Sequence, residues 1–303
     1  MTLLNVGAAL PSQAWAVVRL LACLEKAVPL EEARALLSPP SIRGDKTQDK
    51  PPFDKAISTL EELGLIRIEG EDRQLSLAGL AVALDGQDVS AFGSALRRAI
   101  LDPAKNTSLG DSPDQTGPRD LTRALSWLLT FDPTDPMDWL RAQNEQREAL
   151  RPEAGPVFSN HTRWLRFNYW APSLGLAGAP LFQIEEGNNA NRLVPDCTVA
   201  VRQTLAELRQ TDVRINAVEL LRTLREQLPV LPGGAHSRAV GLRSPGDTAA
   251  GAALSFALLR GEDEKWLRLE HDDDAQHVLQ VQDPDRSSAR PVSAITILEA
   301  VNG

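Results

Sequence analysis

Between residues 51 and 77 the apolar positions fall first at helical and then at alternating spacing. Phe53, Ala56, Ile57, Leu60 and Leu63 recur every three or four residues and so share one face of a helix. Asp54, Lys55, Ser58, Thr59, Glu61 and Glu62 take the other positions. The pair Pro51-Pro52 suits a first helical turn, and Gly64 stands where the helix end favours a left-handed residue. Ile66, Arg67, Ile68 and Glu69 then alternate, residues 70–73 are turn-prone, and Gln74, Leu75, Ser76 and Leu77 alternate again, which predicts a hairpin. Upstream, Ser12 can cap a helix with the buried stripe Trp15, Val18, Leu21 and Leu24, and Pro29 opens a second through Leu30, Ala33 and Leu37. Three helices followed by a hairpin is the element order of a winged helix-turn-helix.

Farther along, a helix is predicted over 91–101, followed at 104–118 by a polar, Gly- and Pro-containing linker. Leu121, Leu125, Leu128 and Leu129 form a new apolar stripe, and Pro136 opens a helix through Trp139 and Leu140. A helix over 161–174 ends in Leu174-Gly175-Leu176, echoing Leu63-Gly64-Leu65. The strand-like 181–184, the polar tip 187–191 and the segment 192–194 follow, and the echo predicts a second winged helix. Beyond it lie helical patterns at 199–208 and 215–228, a loop at 229–237, and a short helix at 254–259. A final hairpin pairs 266–269 with 278–281, and 294–301 is a last helix or strand. The expected fold is mainly α with small β-hairpins, an α+β chain of tandem winged helix-turn-helix modules. Its domains are 1–102, a linker at 103–118, a winged-helix-like module at 119–197 and a degenerate one at 198–303.

With 303 residues the chain can bury more than one core, and no apolar run approaches the roughly 18 residues of a membrane span. The N-terminus lacks the basic start of a secretory signal, so the expected location is the cytoplasm, without a membrane partner. Cys23, on the expected buried side of its helix, and the distant Cys197 read as packing residues rather than a disulfide or zinc pair. A net charge of −9 argues against general nucleic-acid binding, because nonspecific affinity for phosphate comes from Lys and Arg. Residues 1–80 hold nine Lys and Arg against eleven Asp and Glu, and Glu61 and Glu62 sit on the would-be reading helix. The loop 43–50 is the exception, since Arg43, Lys46 and Lys50, followed by Lys55, are placed to meet a phosphate backbone. On the helix itself Lys55, Ser58 and Thr59 are the candidates for base edges.

Catalytic signatures are sparse. His271, Asp272, Asp273, Asp274 and His277 are the densest group of ligand-type residues, but they fall at an expected hairpin turn, where side chains fan outward. Gly233-Gly234 lacks the Lys and Ser/Thr of a phosphate loop, and no serine stands in a nucleophile elbow. No cofactor or metal is expected, and the chain reads as non-enzymatic. In the window 161–170, Trp164, Tyr169 and Trp170 stand beside Arg163 and Arg166. Aromatic faces interleaved with guanidinium groups suit base stacking or an interface hot spot, but Trp164, Phe167 and Trp170 fall at helical spacing and favour a core. Arg163 and Arg166 are therefore the better candidates for an exposed role.

The opening MTLLNVGAALPSQAWAVVRLLA, the first wing, the stretch NHTRWLRFNYWAPSLGLA and Leu-Val-Pro-Asp at 193–196 together resemble the DpdG family over nearly the whole chain. The family accompanies bacterial systems that insert 7-deazaguanine derivatives into DNA and restrict DNA lacking them. The resemblance implies an accessory protein of the restriction arm of an antiphage defence system, and it carries no defined functional residue onto this sequence. The expected role is a winged-helix adaptor whose partners are other defence subunits, with DNA contact and oligomeric state left open. The alternatives are a transcriptional regulator, an adaptor of a condensin-like complex, and a metal-dependent nuclease using the histidine and aspartate group.

Overall fold

A computed structural model describes residues 2–39, 50–147, 149–180, 192–208 and 213–298. The first helix, α1 (Pro11–Leu24), buries Ala14, Val17, Val18 and Leu21. Its stripe is thus displaced from the expected one: Trp15 is half-buried against Phe92, and Leu24 and Cys23 are exposed. The start differs too. Pro11 is the first helical residue, and the Gln13 side chain accepts from Leu10 N at 2.9 Å, so Ser12 does not cap.

Strand β1 (Val28–Pro29) runs straight into α2 (Leu30–Leu37), and α3 (Pro52–Leu63) follows. The α3 helix buries Phe53, Ala56, Ile57, Leu60 and Leu63 as its spacing predicts, and Gly64 ends it in the left-handed region at φ 73°. Strands β2 (Ile66–Glu69) and β3 (Gln74–Leu77) form the expected hairpin, with Ile68 opposite Leu75. Val28 also pairs with Leu75, so β1 joins a sheet of order β1-β3-β2. Two residues are too short a run for alternation to reveal β1.

The remaining helices are α4 (Val89–Leu101), α5 (Arg119–Leu128), α6 (Trp139–Glu145), α7 (His161–Ser173) and α8 (Thr198–Glu207). Strand β4 (Arg214–Asn216) leads directly into α9 (Ala217–Gln227), and α10 (Ala235–Ala239) and α11 (Ala252–Asp263) follow. The chain closes with β5 (Leu267–Glu270), β6 (Leu279–Val281), β7 (Arg290–Val292) and β8 (Ala294–Ile297). The expected hairpin between 266–269 and 278–281 does not form. β5 pairs with β8, and β6 pairs with β7, because residues 271–278 are too long and polar for a tight turn while Ile295 and Ile297 supply an apolar partner for Leu269 and Leu267. Residues 215 and 216, read as the start of a helix, are extended as part of β4, and Asn216 caps α9 by accepting from Val218 N and Glu219 N.

Two compact units result. One comprises 1–107, 115–121 and 162–173, and the other 108–114, 122–161 and 174–303. The whole is a mixed α+β chain whose sheets are small and antiparallel. Each unit contains the same sequence of elements. In the first, helix, strand, helix, helix, strand, strand is α1, β1, α2, α3, β2, β3, and in the second α8, β4, α9, α11, β5, β8 follow that order with α10 and the β6-β7 hairpin inserted. The sheets agree strand for strand, β1-β3-β2 against β4-β8-β5.

Register agrees as well. Ile66↔Leu77, Ile68↔Leu75 and Glu69↔Gln74 correspond to Leu267↔Ile297, Leu269↔Ile295 and Glu270↔Ala294, while Val28↔Leu75 corresponds to Ile215↔Ile295. Leu30 N donates to Arg73 O at 3.1 Å, and Ala217 N donates to Ser293 O at 3.0 Å. Ala78 N donates to Leu65 O at 2.9 Å, and Leu298 N to Trp266 O at 3.0 Å. One αβααββ plan is therefore used twice, with a four-residue turn at 70–73 in the first and a long excursion at 271–293 in the second.

Within the second unit Arg225 is the organising side chain of the loop between α9 and α11. Its guanidinium donates to Pro232 O, Gly246 O and Ala249 O at 2.9–3.0 Å, satisfying three carbonyls of a loop rich in Gly and Pro. The expected linker at 103–118 is held in place at several points: Asn106 Nδ2 donates to Ile100 O and Asp102 O, and Arg123 donates to Leu109 O and Ser112 O.

Candidate functional site

The α3 helix presents the first candidate surface. Its apolar face is spent on the core, which leaves Lys55 and Ser58 half-buried and Glu61 and Glu62 exposed. Lys50, exposed just before the helix, reaches Ser58 Oγ with its Nζ at 2.5 Å. Lys55 and Ser58 lie three residues apart, one turn along the same side. Asp54 is committed elsewhere, to Arg34 at 2.9 Å, and Arg34 also stacks on the Phe53 ring. The helix is thus cationic at its amino end, where its dipole is also positive, and anionic at its carboxyl end.

Of the eight residues expected to contact DNA or a partner, Lys50, Lys55 and Ser58 share this surface. Arg43 and Lys46 lie outside the described residues. Thr59 is fully buried and accepts from Ala9 N at 3.0 Å through Oγ1, so its position on α3 points it inward rather than toward a groove.

Arg163 and Arg166, expected to be exposed, are half-buried on α7. Arg166 donates to Ala8 O and Ala9 O at 2.6 and 2.8 Å, and Arg163 bonds Gln115 and lies 3.9 Å from Asp120. The physical reason is the chain start. Leu3, Leu4, Ala8 and Ala9 are buried without a helix or paired strand to satisfy their backbone, so charged side chains supply the partners of the Leu3 and Leu4 amides and of the Ala8 and Ala9 carbonyls. Asp120 accepts from Leu3 N at 3.2 Å and from Leu4 N at 2.8 Å. Burial pushes its carboxyl up to about 6, against the opposing pull of those amides and of Arg163. Trp164, Phe167 and Trp170 are core residues, as their spacing indicates, whereas Tyr169 is exposed.

A second surface was not legible. In the repeated plan α11 corresponds to α3, and the positions of Lys55, Ser58 and Glu62 are taken by Phe256, Leu259 and Asp263. These three line a cleft of about 560 Å³ together with Asp132, Gln282 and Asp285. Its two arginines are already engaged: Arg260 with Asp196 at 3.1 Å and Glu264 at 2.7 Å, and Arg290 with Glu262 at 2.5 Å. The usable signal was the ungapped match of 60–69, LEELGLIRIE, to 261–270, GEDEKWLRLE, which pairs Glu61 with Glu262, Arg67 with Arg268 and Glu69 with Glu270. It is a closer parallel than the echo at 174–176. Of the hairpin expected to follow that echo, 181–191 lies outside the described residues, while the return segment 192–194 is described and bridges other residues, Leu193 to Met137 and Val194 to Gly178.

The histidine and aspartate group is dispersed. Glu270 and Asp272 turn toward Arg214, with Glu270 Oε2 at 2.8 Å, and those bonds together with Thr296 hold the Glu270 carboxyl below its usual range. His271 Nε2 stands 3.6 Å from Asp273. Among the described residues no group of three or more His, Cys, Asp or Glu converges as metal ligands do. Cys197 is buried beside Asp196, and both raise its thiol, burial more than charge. No helix among the described residues is long and apolar enough to cross a membrane.

A family model described as DpdG-like matches residues 1–275. The chain belongs to the DpdG-like family. Membership spans α1 through β5, and thus the whole first copy of the αβααββ plan and the second copy up to its second strand, in agreement with the resemblance read from 1–22, 160–177 and 193–196. No curated protein and no solved structure matches this DpdG-like chain significantly.

Proposed function

We propose that the chain is a non-enzymatic, cytoplasmic winged-helix adaptor of a bacterial defence system that acts on DNA lacking a 7-deazaguanine modification. Membership of the DpdG-like family associates it with the Dpd 7-deazaguanine modification system. The observation that carries the reading is the repeated plan itself, two αβααββ units with strand order 1-3-2 and the same register. That order and a helix packed against a small three-stranded sheet are those of a winged helix-turn-helix, with α3 and α11 at the reading-helix positions.

On this reading the two copies differ in what they meet. Lys50, Lys55 and Ser58 at the cationic end of α3 suit a phosphate backbone, and the contact is weak because Glu61 and Glu62 close the other end. The α11 cleft has both of its lining arginines engaged by carboxylates of the protein and suits a protein partner. A reader of this asymmetry bridges DNA and other subunits of the system.

Affinity capture of the tagged chain from cells carrying its native gene cluster tests the reading. Stoichiometric recovery of another subunit of the cluster is expected. Recovery of the chain alone removes the adaptor role.

A further inference from the structure

The α11 cleft is built for a ligand of definite character. Its floor is apolar, with Ala252, Phe256 and Leu259 only half-buried along one side of the helix. Its rim is acidic. Asp132 comes from the segment after α5, Asp263 from the end of α11 and Asp285 from the turn after β6, so three separate parts of the second unit bring a carboxylate to one opening. All three are exposed, and among the described residues none is paired with a cation. The remaining acids are neutralised from within: Glu262 by Arg290, and Asp283 by Arg286 at 3.2 Å. The lining therefore holds five carboxylates against two guanidinium groups, both of which face carboxylates of the protein itself.

We propose that this cleft is a docking site for a basic, apolar segment of a partner protein, one that places an aliphatic or aromatic side chain on Phe256 and Leu259 and Lys or Arg against Asp132, Asp263 and Asp285. Charge complementarity selects this occupant. A phosphate backbone is repelled by the same rim, and an acidic or purely polar peptide finds either repulsion or an unfilled floor. The volume accommodates about two or three side chains, the scale of a short linear segment rather than a folded domain. The assignment rests on the adaptor reading only for where the partner is encoded, since the cleft's chemistry is independent of it.

Fluorescence anisotropy of labelled synthetic peptides with the full chain is the test. The probe is a peptide of about 12 residues alternating Arg and Lys with Leu and Phe. One control replaces its cations with Glu, and the other replaces its apolar residues with Ser. The probe is expected to bind with a micromolar Kd at low salt while both controls bind at least about tenfold more weakly. Asp263→Lys with Asp285→Lys, both exposed positions, weakens the probe by about tenfold or more, and Phe256→Ser does the same with unchanged circular dichroism. Lys50→Glu with Lys55→Glu leaves the probe's affinity unchanged.

Equal binding of the Glu control, or indifference to the α11 substitutions, overturns the proposal. So does concentration-dependent dimerisation abolished by Phe256→Ser, which assigns the cleft to a second copy of the chain. A chain that binds the probe through α11 but captures no subunit from its gene cluster sustains the cleft and overturns the adaptor reading alone.

Discussion

Gly64 and Lys265 occupy the same position in the two αβααββ copies. Gly64 directly follows its 12-residue helix and Lys265 follows its own by one residue, both in the left-handed region, at φ 73° and 63° respectively. Their hydrogen bonds match: Gly64 N to Glu61 O and Leu65 N to Leu60 O, against Lys265 N to Glu262 O and Trp266 N to Gly261 O. Glycine is at ease there and lysine is strained. Lys265→Gly is expected to stabilise the second unit by about 1 kcal/mol, and Gly64→Ala to destabilise the first by about as much. A Cβ at Gly64 meets nothing within 4 Å, so backbone strain is the whole cost. Midpoints of urea denaturation measure both, and shifts of the same sign would show that the two ends are not equivalent.

Leu60 is fully buried in the first copy. Leu60→Asp removes its apolar contacts and buries a carboxylate without a partner, at a cost of about 4 kcal/mol or more. Loss of the dispersed amide spectrum of residues around α3, with unit 2 resonances retained, is the expected result. A variant as stable as the parent would place Leu60 outside the core.

Asp120 links stability to pH. Its folded carboxyl titrates near 6, above the ordinary value of 3.8, so the folded state keeps a proton that the unfolded chain has already released. The contribution is present below pH 4, is lost as pH rises toward 6, and is flat beyond, with a span of up to about 3 kcal/mol. Replacing Asp120 with Ala removes that slope and frees the Leu3 and Leu4 amides, which hydrogen exchange would detect as lost protection. An unchanged pH profile in Asp120→Ala would assign the slope to other groups.

The first copy was legible because its three signals agree: helical spacing of Phe53 to Leu63, glycine at the left-handed end, and a hairpin short enough to close in four residues. The second was obscured at those same places. Lys265 stands where glycine would mark the helix end, Gly261 replaces the core Leu60, and 23 residues separate the strands that pair. Residues 215 and 216 read as helix because Ile215 fits the spacing of the helix that follows, and only the Asn216 cap separates strand from helix. The candidate surface on α3 was legible from charge alone. The inward turn of Arg163 and Arg166 was not, because their partners, the carbonyls of Ala8 and Ala9 and the buried Asp120, lie far away in sequence.

Lys50→Glu with Lys55→Glu reverses two charges at exposed and half-buried positions and is expected to leave the fold intact. DNA affinity should fall, and the dependence of log affinity on log salt should flatten by about one to two units. Filter binding across a salt series measures this. An unchanged slope would remove the amino end of α3 from any DNA contact.

Restriction of unmodified plasmid DNA in cells carrying the native gene cluster tests the central claim most directly. Deleting this chain is expected to abolish restriction while mass spectrometry of genomic DNA shows the 7-deazaguanine content unchanged, and the α3 and α11 substitutions should each impair restriction with the protein still present. Full restriction without the chain, or loss of the modified base in its absence, would contradict an accessory role in the restriction arm.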